Sequence, residues 1–387
     1  MVNIFLPLFY IMNLSRKHII ILIFIVIIYL SLPKIQEDFS NSFQYKCQGG
    51  MGKVLTQVSK ERGMNKNNEE WDFHFPCTYN TCEIDANLIK ISNDEQKLFL
   101  IDGCDQVNSK VALWNALVTQ YGRKNACEIM PDTYILRNGN DLKLFEHHFN
   151  NVKKKNPKCK FVLKNHKQRQ EGIKLENKLE NILKAKSQGF NLVQDYLEDP
   201  YIISGRKINI RYYLLVVCDK NYIYGYVHQN GFMYYTPKFY QPGTLDFKEH
   251  ITTGYIDRKV YQENPLTIED FNQHLSKNNT CPKQYFNKVK YLFTLIMKAL
   301  RSKICKNTRL KNNTIFQLFG ADIAPDSDLR PYLVEINKGP DLGPKDERDK
   351  KVKLKVQQDI MDIVDDLGYH KLDAPNQFHM IFKAGRF

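Results

Sequence analysis

The chain has 387 residues, 43% of them hydrophobic and 25% charged, with a formal net charge of +14. That composition excludes a disordered or collagen-like chain and allows one large domain or two to three small ones with ample core. The basic surplus fits acidic polypeptides, anionic lipid or nucleic acid, but the abundance of Lys, Asn and Ile equally fits an AT-rich genome, so charge alone identifies no partner.

The N-terminus reads as a hydrophobic anchor or signal segment over residues 1–38. Ile19 to Leu32 is an unbroken apolar run after Arg16-Lys17-His18, closed by Pro33, with a second apolar stretch from Ile4 to Met12. The run is short of the roughly 20 residues of a spanning helix. With no small-residue cleavage site after Pro33, a retained membrane anchor is expected. Basic residues before the run and Glu37-Asp38 after it would set the N-terminus in the cytoplasm and the body across the membrane, a topology left open here. Residues 39–96 read as an irregular linker. The nine cysteines are odd in number and scattered, which predicts reduced thiols and no zinc site, although Cys77 and Cys82 are near neighbours.

From Lys97 the pattern becomes α/β. Strands are expected over Lys97–Ile101 and Asp132–Arg137, with a helix over Ser109–Tyr121 closed by Gly122, giving a small α/β subdomain over 97–150. Lys153-Lys154-Lys155-Asn156-Pro157 reads as a surface turn before a strand over Lys160–Lys164. Val162 and Lys164 share a face of that strand, so the ammonium either reaches into a cleft or sits exposed at the strand end. The polar segment Asn165–Ile173, with its single Gly172, could fold over phosphates. Strands follow over Leu192–Tyr196, Lys207–Val217 and Tyr222–Val227. In the second of these, Lys207, Asn209 and Arg211 face away from Ile208, Ile210, Tyr212, Leu214 and Val216. An arginine in so apolar a strand requires either an acidic side chain or a bound phosphate or carboxylate. Pro282 opens a long helix with Phe286, Val289, Phe293, Ile296, Leu300 and Ile304 on one face, and Lys351–Leu367 is a second amphipathic helix ended by Gly368.

The densest chemistry lies between these helices. Leu318-Phe319-Gly320-Ala321-Asp322-Ile323 and Pro331-Tyr332-Leu333-Val334-Glu335-Ile336-Asn337 read as a hairpin, joined by turn-forming residues. Simple antiparallel register sets Ile323 opposite Val334 and Asp322 opposite Glu335, with Leu333, Glu335 and Asn337 on one face. Two carboxylates roughly 4.5–5.5 Å apart at Cβ repel unless a cation lies between them. Mg²⁺ commonly takes one or two carboxylates plus substrate phosphates. The pattern therefore fits a metal site, or a solvated acidic patch.

Taken in order, four segments resemble the tubulin–tyrosine ligase-like family, which has an ATP-grasp fold. They are Met130-Pro131-Asp132-Thr133-Tyr134-Ile135-Leu136, Phe161-Val162-Leu163-Lys164, Gln194 to Pro200 with Gly205 to Tyr213, and the hairpin. The resemblance runs from about Leu98 to Leu367 and implies an α/β (α+β) chain, with ATP-grasp subdomains over 151–387. It implies Mg²⁺ ligands at Asp322, Glu335 and Asn337, and ATP contacts from Lys164, Gln170, Gly172, Gln194, Lys207 and Asp322. Lys164, Arg206 and Arg211 would act on phosphates, amino acid or acyl phosphate. The implied reaction phosphorylates a protein carboxylate with ATP, and the amine of a free amino acid then attacks; glutamate is favoured over tyrosine, and tubulin's acidic tail is a candidate acceptor. The chain departs from the family's pattern at Asp195, Asn209, Tyr234 and Thr253. A non-tubulin acceptor, or a membrane-tethered module that binds acidic polypeptides without turnover, stays open, and no nucleic-acid partner is expected.

Overall fold

The computed structural model describes residues 41–48, 50–165, 172–366 and 376–386. The apolar segment before Ser40, Gln170 and Gly368 lie outside the described residues. Among the described residues no helix is long and apolar enough to cross a membrane.

Fifteen strands, β1 to β15, are described: Ser42–Gln44, Asn65–Lys66, Phe73–His74, Lys97–Leu98, Thr133–Ile135, Phe161–Lys164, Ile173–Glu176, Leu192–Asp195, Ile202–Ile203, Arg206–Cys218, Tyr222–His228, Phe232–Tyr235, Thr314–Pro325, Pro331–Asn337 and Phe378–Gly385. They form two sheets. The larger runs β15-β11-β10-β13-β4-β3-β1-β2, with β9 and β12 also paired to β10 and β14 paired to β13. The smaller is β5-β8-β6-β7 and is antiparallel throughout.

The long strands form because they are almost continuously apolar. From Tyr212 to Cys218 and from Ile315 to Pro325 every residue is buried, as befits central strands covered on both faces. The helix Pro282–Leu300 starts with proline at its first turn, where the missing N–H costs nothing. Its Val289, Phe293, Ile296 and Leu300 are buried in the main core, as the spacing predicts. It packs against the helix Lys110–Ala126 and against β15. Burying each such side chain contributes about 1.5–3 kcal/mol before the opposing chain entropy.

The smaller sheet carries a core of its own. Phe145 and Phe149 on the helix Gly139–Lys155 meet Tyr134, Phe161, Leu163 and Val193 on the strands. Asn138 caps that helix by accepting from the backbone N–H of Asn140 and Asp141. Lys153, Lys154 and Lys155 form its last turn, not a separate surface turn. Three cations there complement the carbonyl end of the helix dipole, and this outweighs the breaker reading of the Asn156-Pro157 that follows.

Three further expectations change. Residues 41–96 are not an irregular linker: β1, β2 and β3 join the main sheet in parallel, β3 pairing with β4, and Phe43, Phe73 and Phe75 enter its core. Strands of two or three residues leave no period to read. Four cysteines are oxidised, in Cys47–Cys77 and Cys218–Cys305, so the thiols are not all reduced; their partners are distant in sequence and spacing could not pair them. Finally, the hairpin has a β-bulge between Asp322 and Ile323, so Ile323 pairs with Leu333 and not Val334. The extra residue reverses alternation along β14. Leu333 and Ile336 go to the core, while Val334, Glu335 and Asn337 face the cleft.

Candidate functional site

A cleft of about 520 Å³ is lined by β6 and β8 of the smaller sheet and by β10, β13 and β14 of the larger. It gathers Lys164, Gln194, Lys207, Arg211, Asp322, Glu335 and Asn337, seven of the ten site residues read from the sequence. Each reaches it by strand parity: Lys207, Asn209 and Arg211 alternate onto the cleft face of β10 while Ile208, Ile210 and Tyr212 are buried behind.

On the larger sheet the charges come in pairs. Arg211 grips Asp322 with two hydrogen bonds, Nε to Oδ1 at 2.6 Å and NH2 to Oδ2 at 3.0 Å. Of the two partners the sequence allows for Arg211, this structure shows the hairpin acid. Burial opposes the charge of the guanidinium, but Asp322 outweighs it and keeps Arg211 protonated. Burial likewise pushes the Asp322 carboxyl up, with Arg211 only partly offsetting it. Glu335 goes the other way. Burial would raise it, yet Lys110, Lys164 and an amide hydrogen bond hold it below the usual range. Asn337 Nδ2 donates to Glu335 Oε1 at 3.1 Å, and Lys110 Nζ stands 3.4 Å from Glu335 Oε2.

The smaller sheet supplies a cation held by neutral groups. Lys164 Nζ donates to Gln194 Oε1 at 2.7 Å and to the Val334 carbonyl, the residue at the bulge, at 3.3 Å. Gln194 is oriented in turn by Thr133 Oγ1 at 2.8 Å and the Pro131 carbonyl at 3.3 Å. Burial pulls the Lys164 ammonium down to about 8. Lys207, whose Nζ stands 4.1 Å from the centre of the Tyr196 ring, is pulled down to about 7 by burial and the nearby Lys160. His250 also lines the cleft and is pushed down to about 4 by burial and the adjacent lysines, so it is neutral at pH 7.

Three residues are not brought in. Arg206 sits on the opposite parity of β10, donates to the carbonyls of Thr236 and Pro237 at 2.8 and 2.7 Å, and stacks on Phe239. It does not line the cleft in this structure: its parity, five residues from Arg211, sends it to the other side. Gly172 is buried at the turn into β7, its carbonyl accepting from Asn165 N–H at 2.9 Å, and it too is outside the lining. Gln170 is outside the described residues. Sequence reasoning missed Lys110. The available signal was Ser109, whose side chain caps the helix and places Lys110 in its first turn beside Glu335.

A divalent cation was expected at Asp322, Glu335 and Asn337. Among the described residues no three His, Cys, Asp or Glu side chains form a metal-holding cluster. The donor set is instead two opposed carboxylates and an amide, oxygen donors of the kind Mg²⁺ uses when substrate phosphates complete its shell. Asn209 Oδ1, on the cleft wall, is buried without a hydrogen-bond partner, an acceptor that the protein alone leaves unsatisfied. The residues fit the ion, provided Asp322 shares its oxygens with Arg211.

Comparison with known proteins gives a consistent picture. The profile described as the tubulin-tyrosine ligase family matches residues 88–370. A probable tubulin polyglutamylase of Rattus norvegicus is 27% identical over 182 residues, covering 45% of this chain and 38% of the relative. One of Caenorhabditis elegans is 25% identical over 214 residues, covering 50% and 49%. A tubulin glycylase of Drosophila melanogaster is 24% identical over 230 residues, covering 55% and 30%. The chain spans less than half the length of each of these three relatives.

Proposed function

Since this chain belongs to the tubulin-tyrosine ligase family, we propose that it is an ATP- and Mg²⁺-dependent ligase joining a free amino acid to a carboxyl group of a protein through an acyl phosphate. The observation that carries the reading is the meeting of Lys164, Lys207 and Arg211 with Asp322, Glu335 and Asn337 in one cleft. Such a reaction asks for charge neutralisation and alignment more than for a nucleophilic side chain.

Lys164 and Lys207 bind phosphate oxygens, and Gln194 holds the Lys164 ammonium in place. Arg211, released in part from Asp322, meets the negative charge of the phosphorylated carboxylate. Asp322, Glu335 and Asn337 would hold Mg²⁺, which supplies Lewis-acid neutralisation of the phosphate oxygens. Lys110 keeps Glu335 ionised when the cleft is empty.

Glutamate is the amino acid we propose. Polyglutamylases among the relatives support it, and the glycylase makes glycine the second reading. The acceptor we propose is an acidic polypeptide, with tubulin, named for the relatives, the first to test. The test incubates the purified full-length chain with labelled Glu, Gly or Tyr, ATP, Mg²⁺ and acceptor proteins. Incorporation of Glu that requires ATP and disappears in Glu335→Gln is expected. Absence of any incorporation, together with absence of Mg²⁺-dependent ATP binding, would sink the reading. We also hold Ile19–Leu32 to be a membrane anchor, and release of the chain by carbonate extraction would remove that part.

A further inference from the structure

The cysteines carry information that the ligase reading does not use. Two disulfides, with Cα atoms 5.4 and 6.4 Å apart, join Cys47 to Cys77 and Cys218 to Cys305, separations usual for the bond. The first ties the segments leaving β1 and β3, neighbouring strands of three and two residues. The second fastens the last residue of β10 to the chain beyond the helix Pro282–Leu300, across 87 residues. The first lies where short strands have little ladder of their own, and the second joins the end of the well-paired β10 to a segment distant in sequence.

A further pair is built to the same plan. Cys82 opens the helix Cys82–Leu88 and Cys104 opens the helix Cys104–Asn108, and both side chains are wholly buried. Between them Glu83 bridges the two helix starts, its oxygens accepting from the backbone N–H of Gly103 and Asp105, each at 3.1 Å. In the structure both are free thiols, and the neighbouring Cys82 together with burial pushes the Cys104 thiol up. Four of the nine cysteines are joined in two bridges, Cys82 and Cys104 stand free at the two helix starts that Glu83 links, and Cys127, Cys159 and Cys281 are the other free thiols.

We propose that Cys82 and Cys104 are oxidised to a third disulfide and that this chain folds in an oxidising compartment. Structural disulfides persist in secretory, extracellular or periplasmic settings and are rare where thiol reductants dominate. The oxidant is a disulfide: oxidised glutathione or a protein thiol oxidoreductase. One cysteine thiolate attacks it and releases a thiol. The second thiolate then displaces the remaining sulfur from the mixed disulfide. The protein gives up two electrons and two protons, and the oxidant ends as two thiols. The step belongs to folding, before both sulfurs are closed off from solvent. An apolar run preceded by basic residues, Ile19–Leu32, is the composition of a segment that carries a following chain across a membrane. For the ligase reading, on which the cysteine argument does not depend, the acceptor would then share that compartment, which favours an acidic polypeptide other than tubulin.

The test takes the full-length chain from its own cells, quenched in acid and alkylated under denaturing conditions. Digestion without reduction and mass spectrometry then map the links. Three linked peptide pairs are expected, Cys47 with Cys77, Cys82 with Cys104 and Cys218 with Cys305, with Cys127, Cys159 and Cys281 alkylated. The unreduced chain should be lighter than the reduced one by two hydrogens per bridge. Alkylation of Cys82 and Cys104 beside two intact links overturns the third disulfide. Alkylation of all nine overturns the compartment as well. Both results are read on the wild-type chain, so no variant has to fold.

Discussion

The two walls of the cleft solve the same problem in opposite ways. The wall from the larger sheet buries its charges in opposed pairs, Arg211 with Asp322 and Lys110 with Glu335. The wall from the smaller sheet buries a lysine against an amide oxygen and a backbone carbonyl. A paired charge keeps its ionisation but is costly to break; a charge held by neutral dipoles is cheaper to disturb but titrates near neutral pH. The charge pairs are therefore expected to respond to mutation, and the lysines outside them, Lys164 and Lys207, to pH.

Asp322→Asn is the harshest way to break that contrast. It leaves Arg211 charged and buried without its carboxylate, and a loss of about 3–5 kcal/mol is expected. Denaturant unfolding measures it; a loss below about 1 kcal/mol would mean that water or another group already stabilises Arg211. Glu335→Gln should leave the fold largely intact while lowering amino-acid incorporation on the order of 10²–10³-fold, the usual cost of removing one fixed electrostatic group. Steady-state ligation assays decide this, and near-wild-type turnover would remove Glu335 from the site.

The pH response sharpens the contrast at the two lysines outside those pairs, Lys164 on the smaller sheet and Lys207 on β10 of the larger. Lys164 and Lys207 have native values pulled down to about 8 and about 7. Nucleotide affinity should be highest below pH 7 and fall as pH rises through 7 to 8, by up to about tenfold per unit for each lysine that must be charged. Stability should move oppositely. A lysine depressed in the native state binds more protons when unfolded, so stability rises from about pH 7 towards the ordinary lysine value of about 10.4. Fluorescent-nucleotide titrations and thermal melts across that range give both slopes, and Lys164→Arg should flatten the affinity slope. An affinity that ignores pH would contradict the assignment of these lysines to phosphate. Arg206→Ala is the smallest effect. Two bonds to backbone carbonyls are lost, about 1 kcal/mol, with ligation within about twofold of wild type. A large loss in kcat would return Arg206 to the cleft.

What could be read from sequence follows from the range of the signal. The opposition of Asp322 and Glu335 was legible because a hairpin is local and alternates with period two. The same alternation separated Arg211 from the apolar face of β10, and applied strictly it also excluded Arg206, which only the resemblance drew in. The bulge at Val334 was not legible, since one extra residue carries no compositional mark. Lys110 and the disulfide partners were invisible for a different reason: they are brought to their neighbours by long-range packing, and nothing in their spacing encodes it. Residues 41–96 failed most completely, because strands of two or three residues derive their order from the sheet they join.

That early region has a consequence for where the folding unit ends. Lys338, one residue past Asn337, donates to the Asn80 carbonyl at 3.5 Å and pairs with Asp105. A Cβ on Gly339 would meet the Tyr79 ring at 2.6 Å. The loop leaving the two carboxylates is thus propped in part by the Tyr79 ring and the Asn80 carbonyl, which precede residue 88, where the family match begins. A chain trimmed to the matched boundaries would retain every residue of the signature and lose the buttress behind it. The family match marks one span of shared sequence; the mechanical unit is longer, and part of its foundation lies before residue 88.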